Sequence, residues 1–139
     1  MYLLDTNVIS ELRRRRPNPA VLEWLSQIPD EQLHMAAITF GELQAGVEMT
    51  RRQDPDKAAA IEAWIDLVAA SYSVVALDEV VFRRWARLMH RRSNNLIEDA
   101  MIAATALVRN MTVVTRNVRD FETFGVPIFD PFQGAAGRV

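Results

Sequence analysis

The chain has 139 residues, with 16 Lys and Arg against 18 Asp and Glu, and it contains no cysteine. This length predicts one compact domain with its own apolar core, and the lack of cysteine excludes disulfide scaffolds and thiolate metal sites. The only two histidines, His34 and His90, make a histidine-rich zinc or copper site a poor hypothesis.

Segments that would direct the chain to a membrane are not expected. The apolar opening meets Asp5 at once, which argues against a signal peptide, and no uncharged apolar run approaches the ~20 residues of a membrane span. The sequence therefore predicts a soluble intracellular domain.

The first half of the chain alternates between short apolar runs and stretches with helical signals. Pro and Asn or Asp mark the helix starts, because proline fits the first helical position and the short polar side chains cap it. The predicted elements are a strand at Leu3-Leu4, a helix from Pro19 with Asn18 as N-cap, a strand over Leu33 to Ala37, a helix over Thr39 to about Thr50, and a helix from Asp54-Pro55.

The second half continues the alternation. Its most apolar segment carries charges only at Glu98 and Asp99, in the first turn, which predicts a helix buried on most sides. The predicted elements are a strand over Ser73 to Leu77, a helix capped by Asp78, the buried helix over Leu96 to Val108, and strands at Thr112 to Thr115 and Pro127 to Phe129.

Short apolar strands that alternate with helices predict an α/β domain with a mainly parallel sheet covered on both faces. We expect this domain to span residues 1–132 and residues 133–139 to form a frayed tail, since that tail is rich in Gly and Ala.

Four acids are predicted to meet at one edge of the sheet: Asp5, Glu42, Asp99 and Asp120. Each follows a predicted strand or opens the helix after one, and ligands of open parallel sheets bind beyond the carboxyl ends of the strands. Clustered carboxylates repel one another unless a cation neutralises them, and an all-oxygen set suits Mg²⁺ or Mn²⁺. Such a site can activate water for phosphodiester hydrolysis.

Each acid also has a structural interpretation. Asp5 could cap the turn after its strand, although Asp5-Thr6-Asn7 places three polar residues together between apolar segments. Thr39-x-x-Glu42 has the spacing of a capping box, which explains that glutamate without a metal. Asn95-x-x-Glu98 is also cap-like, and there we favour the structural role.

For Asp99 and Asp120 the balance between a structural role and metal binding differs. Asp99 opens a helix that is otherwise core, and an unpaired buried charge there would cost several kcal/mol, so a cation partner is the simpler explanation. Asp120 lies in a predicted loop, where an aspartate is usually just solvated.

The basic residues are almost all arginine, and they cluster. Four form the run Arg13 to Arg16, and five lie between Arg83 and Arg92. On the predicted helix after Asp78, one stripe is formed by Arg84, Arg87 and Arg91 and another by Phe82, Trp85 and Met89. Arginine suits phosphate recognition, so the arginine stripe is a candidate surface for nucleic-acid phosphates; a protein interface and a solvated face are the alternatives.

Four segments together resemble a known family, the PIN-domain ribonuclease toxins of the VapC and FitB type. In chain order they read LDTNVISE from Leu4, ITFGELQAG from Ile38, DAMIAATA from Asp99 and VTRNVRDF from Val114. The resemblance extends from Tyr2 to about Phe132.

The resemblance implies a three-layer α/β/α fold and RNA cleavage that depends on Mg²⁺ or Mn²⁺. It makes Asp5, Glu42 and Asp99 the metal-binding acids, with Thr6 and Asn7 orienting the first of them. It further implies a homodimer in the prokaryotic cytoplasm, inhibited by a small antitoxin through which the pair contacts DNA.

Two positions depart from the family pattern. Ala36 stands where many relatives have Ser, and Asn117 stands where many have Asp. Asn117 is at best a supporting neutral oxygen donor, so either Asp120 supplies a fourth acid or the site works with three. The number of metal ions therefore stays open.

Other functions fit the sequence less well than the nuclease. A haloacid-dehalogenase-type phosphatase would need an acid where Asn7 stands, and a receiver domain would need a late lysine, whereas the only lysine is Lys57. A non-catalytic RNA-binding or regulatory protein with the same fold remains the alternative. The acids at all three core positions favour a metal-dependent ribonuclease that acts as a toxin.

Overall fold

The computed structural model describes residues 1–136 and shows a five-stranded sheet in the order β3-β2-β1-β4-β5. All four strand pairings are parallel, as the alternation of strands and helices predicted. The strands are β1 (Tyr2–Leu4), β2 (Leu33–Ala36), β3 (Ser73–Val75), β4 (Thr112–Val114) and β5 (Ile128–Phe129).

Seven α-helices connect and cover these strands within the described residues. None of them is long and apolar enough to cross a membrane. The helices are α1 (Thr6–Glu11), α2 (Pro19–Gln27), α3 (Ala37–Arg51), α4 (Pro55–Ser71), α5 (Glu79–Met89), α6 (Ile97–Arg109) and α7 (Val118–Glu122).

The sheet separates two apolar layers, because successive side chains of a strand point to opposite faces. In β1, Leu3 packs in one layer, with residues of α5, α6 and α7, whereas Leu4 packs in the other, with residues of α1, α2 and α3. Val113 and Val114 of β4 divide between the layers in the same way. The fold is therefore a three-layer α/β/α sandwich, which confirms the expected fold class.

Three of the predicted helix caps are present. The side chain of Asn18 accepts a hydrogen bond from the Ala20 N–H at 2.8 Å, and Asp54 and Asp78 accept from the third residue of their helices. These bonds satisfy N–H groups that have no partner inside the helix. Local sequence signals therefore fix where α2, α4 and α5 begin.

The predicted tail, residues 133–139, lies only partly within the described residues. Residues 131–136 form 3₁₀ turns, and Phe132 just before the predicted boundary packs against the apolar layer of α2. Residues 137–139 lie outside the part of the chain that the structure describes.

We expect the Leu4→Ala variant to lose about 2–5 kcal/mol of unfolding free energy, because it empties a fully buried position in the central strand. The matched control is Leu67→Ala, since Leu67 on α4 is 67% exposed and its truncation removes no core contact. Urea denaturation of both variants measures the difference. Equal losses would contradict the burial assigned to β1.

Candidate active site

The carboxyl end of β1 is the point around which the site is built. From β1 the chain moves to β2 and β3 on one side of the sheet and then crosses to β4 on the other side. A crevice forms where the strand order reverses in this way, just beyond the strand ends. Asp5, the residue that follows β1, lies at this position.

Asp5 is 4% exposed, and three groups hold its carboxylate. Its Oδ1 accepts the Thr6 N–H at 2.8 Å, while its Oδ2 accepts the Thr115 hydroxyl at 2.8 Å and the Asn7 side-chain amide at 3.2 Å. The aspartate also serves as the N-cap of α1. The capping role and the functional role weighed for Asp5 are therefore compatible.

The pKa of Asp5 is raised above its usual value although all three hydrogen bonds lower it. Burial is the largest cause, because removal from water penalises the charged form, and the charge of Asp120 adds to the effect. The neighbouring groups thus orient this carboxylate but do not balance its negative charge.

Glu42 lies in the second turn of α3, not in the first turn as predicted. Its Oε1 accepts the Thr6 hydroxyl at 3.1 Å, so Thr6 links the two acids through its backbone and its side chain. Burial raises the pKa of Glu42 to about 7, and the charges of Asp5, Glu98 and Asp99 also raise it. Glu42 therefore belongs to the same charge cluster as Asp5.

The capping box predicted for Glu42 is wrong. The helix α3 begins at Ala37, directly after β2, and its N-cap is Ala36, whose methyl group cannot accept a hydrogen bond. Thr39 is consequently inside the helix, where its hydroxyl is buried without a hydrogen-bond partner among the described residues. The structural explanation for Glu42 is thereby removed.

Asp99 lies in the first turn of α6, as predicted. Burial raises its pKa to about 6, and the charges of Asp5, Asp120 and Glu98 contribute as well. Asp120, predicted in a loop, instead lies in the first turn of the short helix α7. Asp5, Glu42, Asp99 and Asp120, each on a different element, therefore share one electrostatic environment.

Glu98, for which the sequence favoured a structural role, is a fifth member of this charge cluster. The predicted cap with Asn95 does not form, because α6 begins at Ile97 and has no side-chain cap, while Asn95 lies in a preceding 3₁₀ turn capped by Ser93. Glu98 is exposed, and its charge raises the pKa of both Glu42 and Asp99.

None of these acids forms an ion pair within residues 1–136. The ion pairs of the described chain involve other carboxylates, and the basic residue that follows the site, Arg116, reaches Glu11 instead. Its guanidinium lies over the ring of Phe132, 3.8 Å from the ring centroid. The cluster therefore lacks an internal cation.

Thr115 is a site residue that the sequence interpretation treated only as the end of a strand. It is fully buried, its hydroxyl donates to Asp5, and its Oγ1 accepts the Asn117 backbone N–H at 2.9 Å. Asn117 contributes this backbone contact, and no hydrogen bond of its side chain occurs in the described residues. A polar residue after two buried valines was the available signal for Thr115.

The predicted arginine stripe is only partly correct. Arg84 and Arg87 are one turn apart on α5, whereas Arg91 lies beyond the end of that helix, with φ of 63°. Trp85 and Met89 pack against the core while Phe82 is 41% exposed, so the aromatic stripe is mainly structural. Whether Arg84 and Arg87 contact RNA stays a prediction.

We expect the Asp99→Asn variant in EDTA to be more stable than the wild type at pH 8, by on the order of a few degrees in Tm. The folded-state pKa of Asp99 lies above its unfolded value, so the folded state binds this proton more tightly. The cost of this carboxylate to stability is therefore absent below about pH 4, grows as the pH rises toward 6 and is complete above that value.

Thermal unfolding at pH 4, 6 and 8 measures this effect. The control is Asp66→Asn, because Asp66 is an exposed aspartate on α4. A gain of the same size at every pH, or an equal gain in the control, would contradict the mutual repulsion of the acids.

Comparison with known proteins places this chain in a family. The PIN domain family model matches residues 2–126. The chain is 36% identical to the plasmid stability protein StbB of Pseudomonas syringae, 32% to the toxin FitB of Neisseria gonorrhoeae and 35% to the VapC ribonuclease Y4jK of Sinorhizobium fredii. The alignments cover 96%, 95% and 97% of this chain and 99%, 99% and 100% of these relatives.

Solved structures agree with these sequence matches. The structure of FitAcB from Neisseria gonorrhoeae aligns with a TM-score of 0.83 at 31% identity, over 95% of this chain and 99% of that one. VapBC-5 from Mycobacterium tuberculosis, from the VapBC family of toxin–antitoxin systems, aligns with a TM-score of 0.56 at 28% identity, over 83% of each chain. The chain therefore belongs to the PIN domain family, among the toxin and ribonuclease members that these relatives represent.

Proposed function

We propose that this chain is a Mg²⁺- or Mn²⁺-dependent ribonuclease and the toxin of a toxin–antitoxin pair. The observation that carries the proposal is the group of acids at the carboxyl end of β1, three of them with raised pKa and without a basic partner in the described residues. Family membership supports the substrate class, since a relative 35% identical is named a ribonuclease.

The donor set fits a small hard divalent cation. The acids and their polar neighbours all offer oxygen atoms as ligands. Within residues 1–136, however, no three acidic or histidine side chains lie close enough together to bind one ion. Mg²⁺ usually binds to one or two carboxylates and keeps several waters, so Asp5 and Asp99 are sufficient protein ligands. When bound, such an ion polarises a phosphoryl oxygen and lowers the pKa of water.

The residues of the chain then have distinct tasks. Thr115 and Asn7 hold Oδ2 of Asp5, and the Thr6 N–H holds Oδ1, so this carboxylate keeps one orientation while substrate binds. Thr6 holds Glu42 at Oε1, which leaves Oε2 to accept a proton from the attacking water. Asp120 adds negative charge that favours cation binding. Asn117 fixes Thr115 through its backbone.

The same proposal includes partners. An antitoxin that binds this chain is supported by the resemblance of the fold to VapBC-5, a member of a toxin–antitoxin family. Its contact with DNA is supported by the resemblance to FitAB, whose structure was solved bound to a DNA fragment. We also propose a homodimer and a place in the prokaryotic cytoplasm, following the family resemblance.

We expect the Asp5→Asn variant to lose metal-dependent RNA cleavage, by about 10²-fold or more, because the amide cannot supply the charge that binds the cation. Cleavage of end-labelled total RNA with Mg²⁺, Mn²⁺ or EDTA measures the loss, with Asp66→Asn as the control. Mn²⁺ titration by calorimetry reports binding independently of turnover.

The outcomes separate the candidate functions. Cleavage by the wild type that requires metal and Asp5 establishes the nuclease. Metal binding and RNA binding without any cleavage would favour the non-catalytic RNA-binding protein. Wild-type activity in the Asp5→Asn variant would place the reaction elsewhere.

A further inference from the structure

A run of four arginines follows α1, the helix that Asp5 caps. Arg13 to Arg16 are all exposed, and three of them line a recess of about 350 Å³: Arg14, Arg15 and Arg16. The helix α1 has six residues, so it ends about 9 Å from Asp5 along its axis, and the recess residues follow in the loop after that end.

The loop that carries these arginines is anchored to the protein body. Glu11 is 5% exposed, and its Oε2 accepts the Asn18 backbone N–H at 2.8 Å, which fixes the loop at the start of α2. Its Oε1 lies 3.6 Å from a guanidinium nitrogen of Arg14. At the other side of the loop, the guanidinium of Arg13 lies over Trp64, 5.2 Å from the ring centroid.

Two of the four arginines have no ion-pair partner among the described residues. Arg13 stacks on an aromatic ring and Arg14 pairs with Glu11, whereas Arg15 and Arg16 form no ion pair with any carboxylate of residues 1–136. A guanidinium presents several N–H donors in a plane that matches phosphate oxygens. Side by side in an anchored recess, the guanidinium groups of these two residues are available to an anion.

A positive surface near the acid cluster increases the affinity for an RNA strand. Without a bound cation, Asp5 and the acids around it repel the phosphates of an RNA strand, so positive charge outside the acid cluster adds to the affinity for the strand. Arg116 links the site to the recess, because its backbone N–H donates to the Asn7 side chain while its guanidinium lies 3.8 Å from Oε1 of Glu11. Arg14 lies 3.6 Å from the same Glu11 oxygen, so Glu11 connects the edge of the site with the recess.

We propose that the recess formed by Arg14, Arg15 and Arg16 binds phosphates of the single-stranded RNA a few nucleotides from the bond that is cleaved. This inference rests on the proposed ribonuclease function. Basic grooves that track the strand supply sequence-independent affinity, so the recess holds the substrate in place and leaves the reacting groups unchanged.

The test removes the two unpaired charges with the double variant Arg15→Ala/Arg16→Ala. Its matched control is Arg52→Ala/Lys57→Ala, which removes two exposed charges at the turn between α3 and α4. That turn is about 22 Å along α3 from the strand ends. Binding of a fluorescent single-stranded RNA is measured in EDTA over a range of salt concentrations, where no RNA is cleaved.

We expect the slope of log Kd against log salt to fall by about 1.4, since each lost phosphate contact on a single strand removes about 0.7. This corresponds to RNA binding about tenfold weaker or more at 0.1 M salt. The control should bind like the wild type, and Arg15→Lys/Arg16→Lys should keep the salt slope. With metal, the alanine variant should show a higher KM at a similar kcat.

Unchanged affinity and slope in the alanine variant would overturn the proposal, as would equal losses in the control. An acidic segment of a partner protein would then be the better occupant of the recess. The two proposals fail separately. A wild type that does not cleave RNA overturns the ribonuclease, whereas a selective loss of RNA affinity in the alanine variant still supports the recess.

Discussion

The carboxylate of Asp5 is buried at the end of the central strand, and no basic side chain of the described residues pairs with it. The groups around it offset part of the free-energy cost of burying this charge. Removal of a charge from water costs several kcal/mol unless hydrogen bonds and counter-charge replace the lost hydration. Three donors supply the hydrogen bonds, but the pKa stays raised because burial outweighs them. The backbone of Asp5 also continues the ladder of the sheet, donating to the Val114 carbonyl at 2.9 Å. The fold thus fixes the position of Asp5 but supplies no positive charge to balance its carboxylate.

The helix α6 fixes the position of Asp99, and it does so through the packing of the helix. Four buried alanines give this helix a narrow face, which allows it to lie close to its neighbours: Ala100, Ala103, Ala104 and Ala106. Its first turn then carries Asp99 to the edge of the sheet, where the helix N-terminus partly offsets the negative charge. The core supplies the stability that these repelling acids reduce, and this balance is common at functional sites.

The sequence was informative where a signal was local and repeated. The parallel α/β architecture followed from short apolar strands between helices, and three helix starts followed from cap residues. Glu42 was harder, because a capping-box spacing is present although β2 passes into α3 without a capping side chain. The cap predicted with Asn95 failed for the related reason that a 3₁₀ turn precedes α6. Spacing alone does not reveal where a helix begins.

Other residues depend on contacts between distant parts of the chain. Thr115 and Asp5 are separated by 110 positions, and only the pairing of β1 with β4 brings them together. Arg91 looked like a continuation of α5, but its backbone leaves the helical region after Met89, so its side chain does not share the face of Arg84 and Arg87. Such placements require the tertiary structure, since no local preference encodes them.

The separation of charge beside Asp5 follows from where Glu11 lies. Arg116 is next to Thr115 in the chain and could neutralise the acids, but Glu11 and Phe132 hold its guanidinium elsewhere. The acids therefore keep their affinity for an external cation, and the arginines stay available for an external anion. The length of α1, about 9 Å, is close to the screening length of about 8 Å at physiological ionic strength. Salt therefore weakens the attraction between the two regions, so a strand can bind to the arginines while a cation binds to the acids.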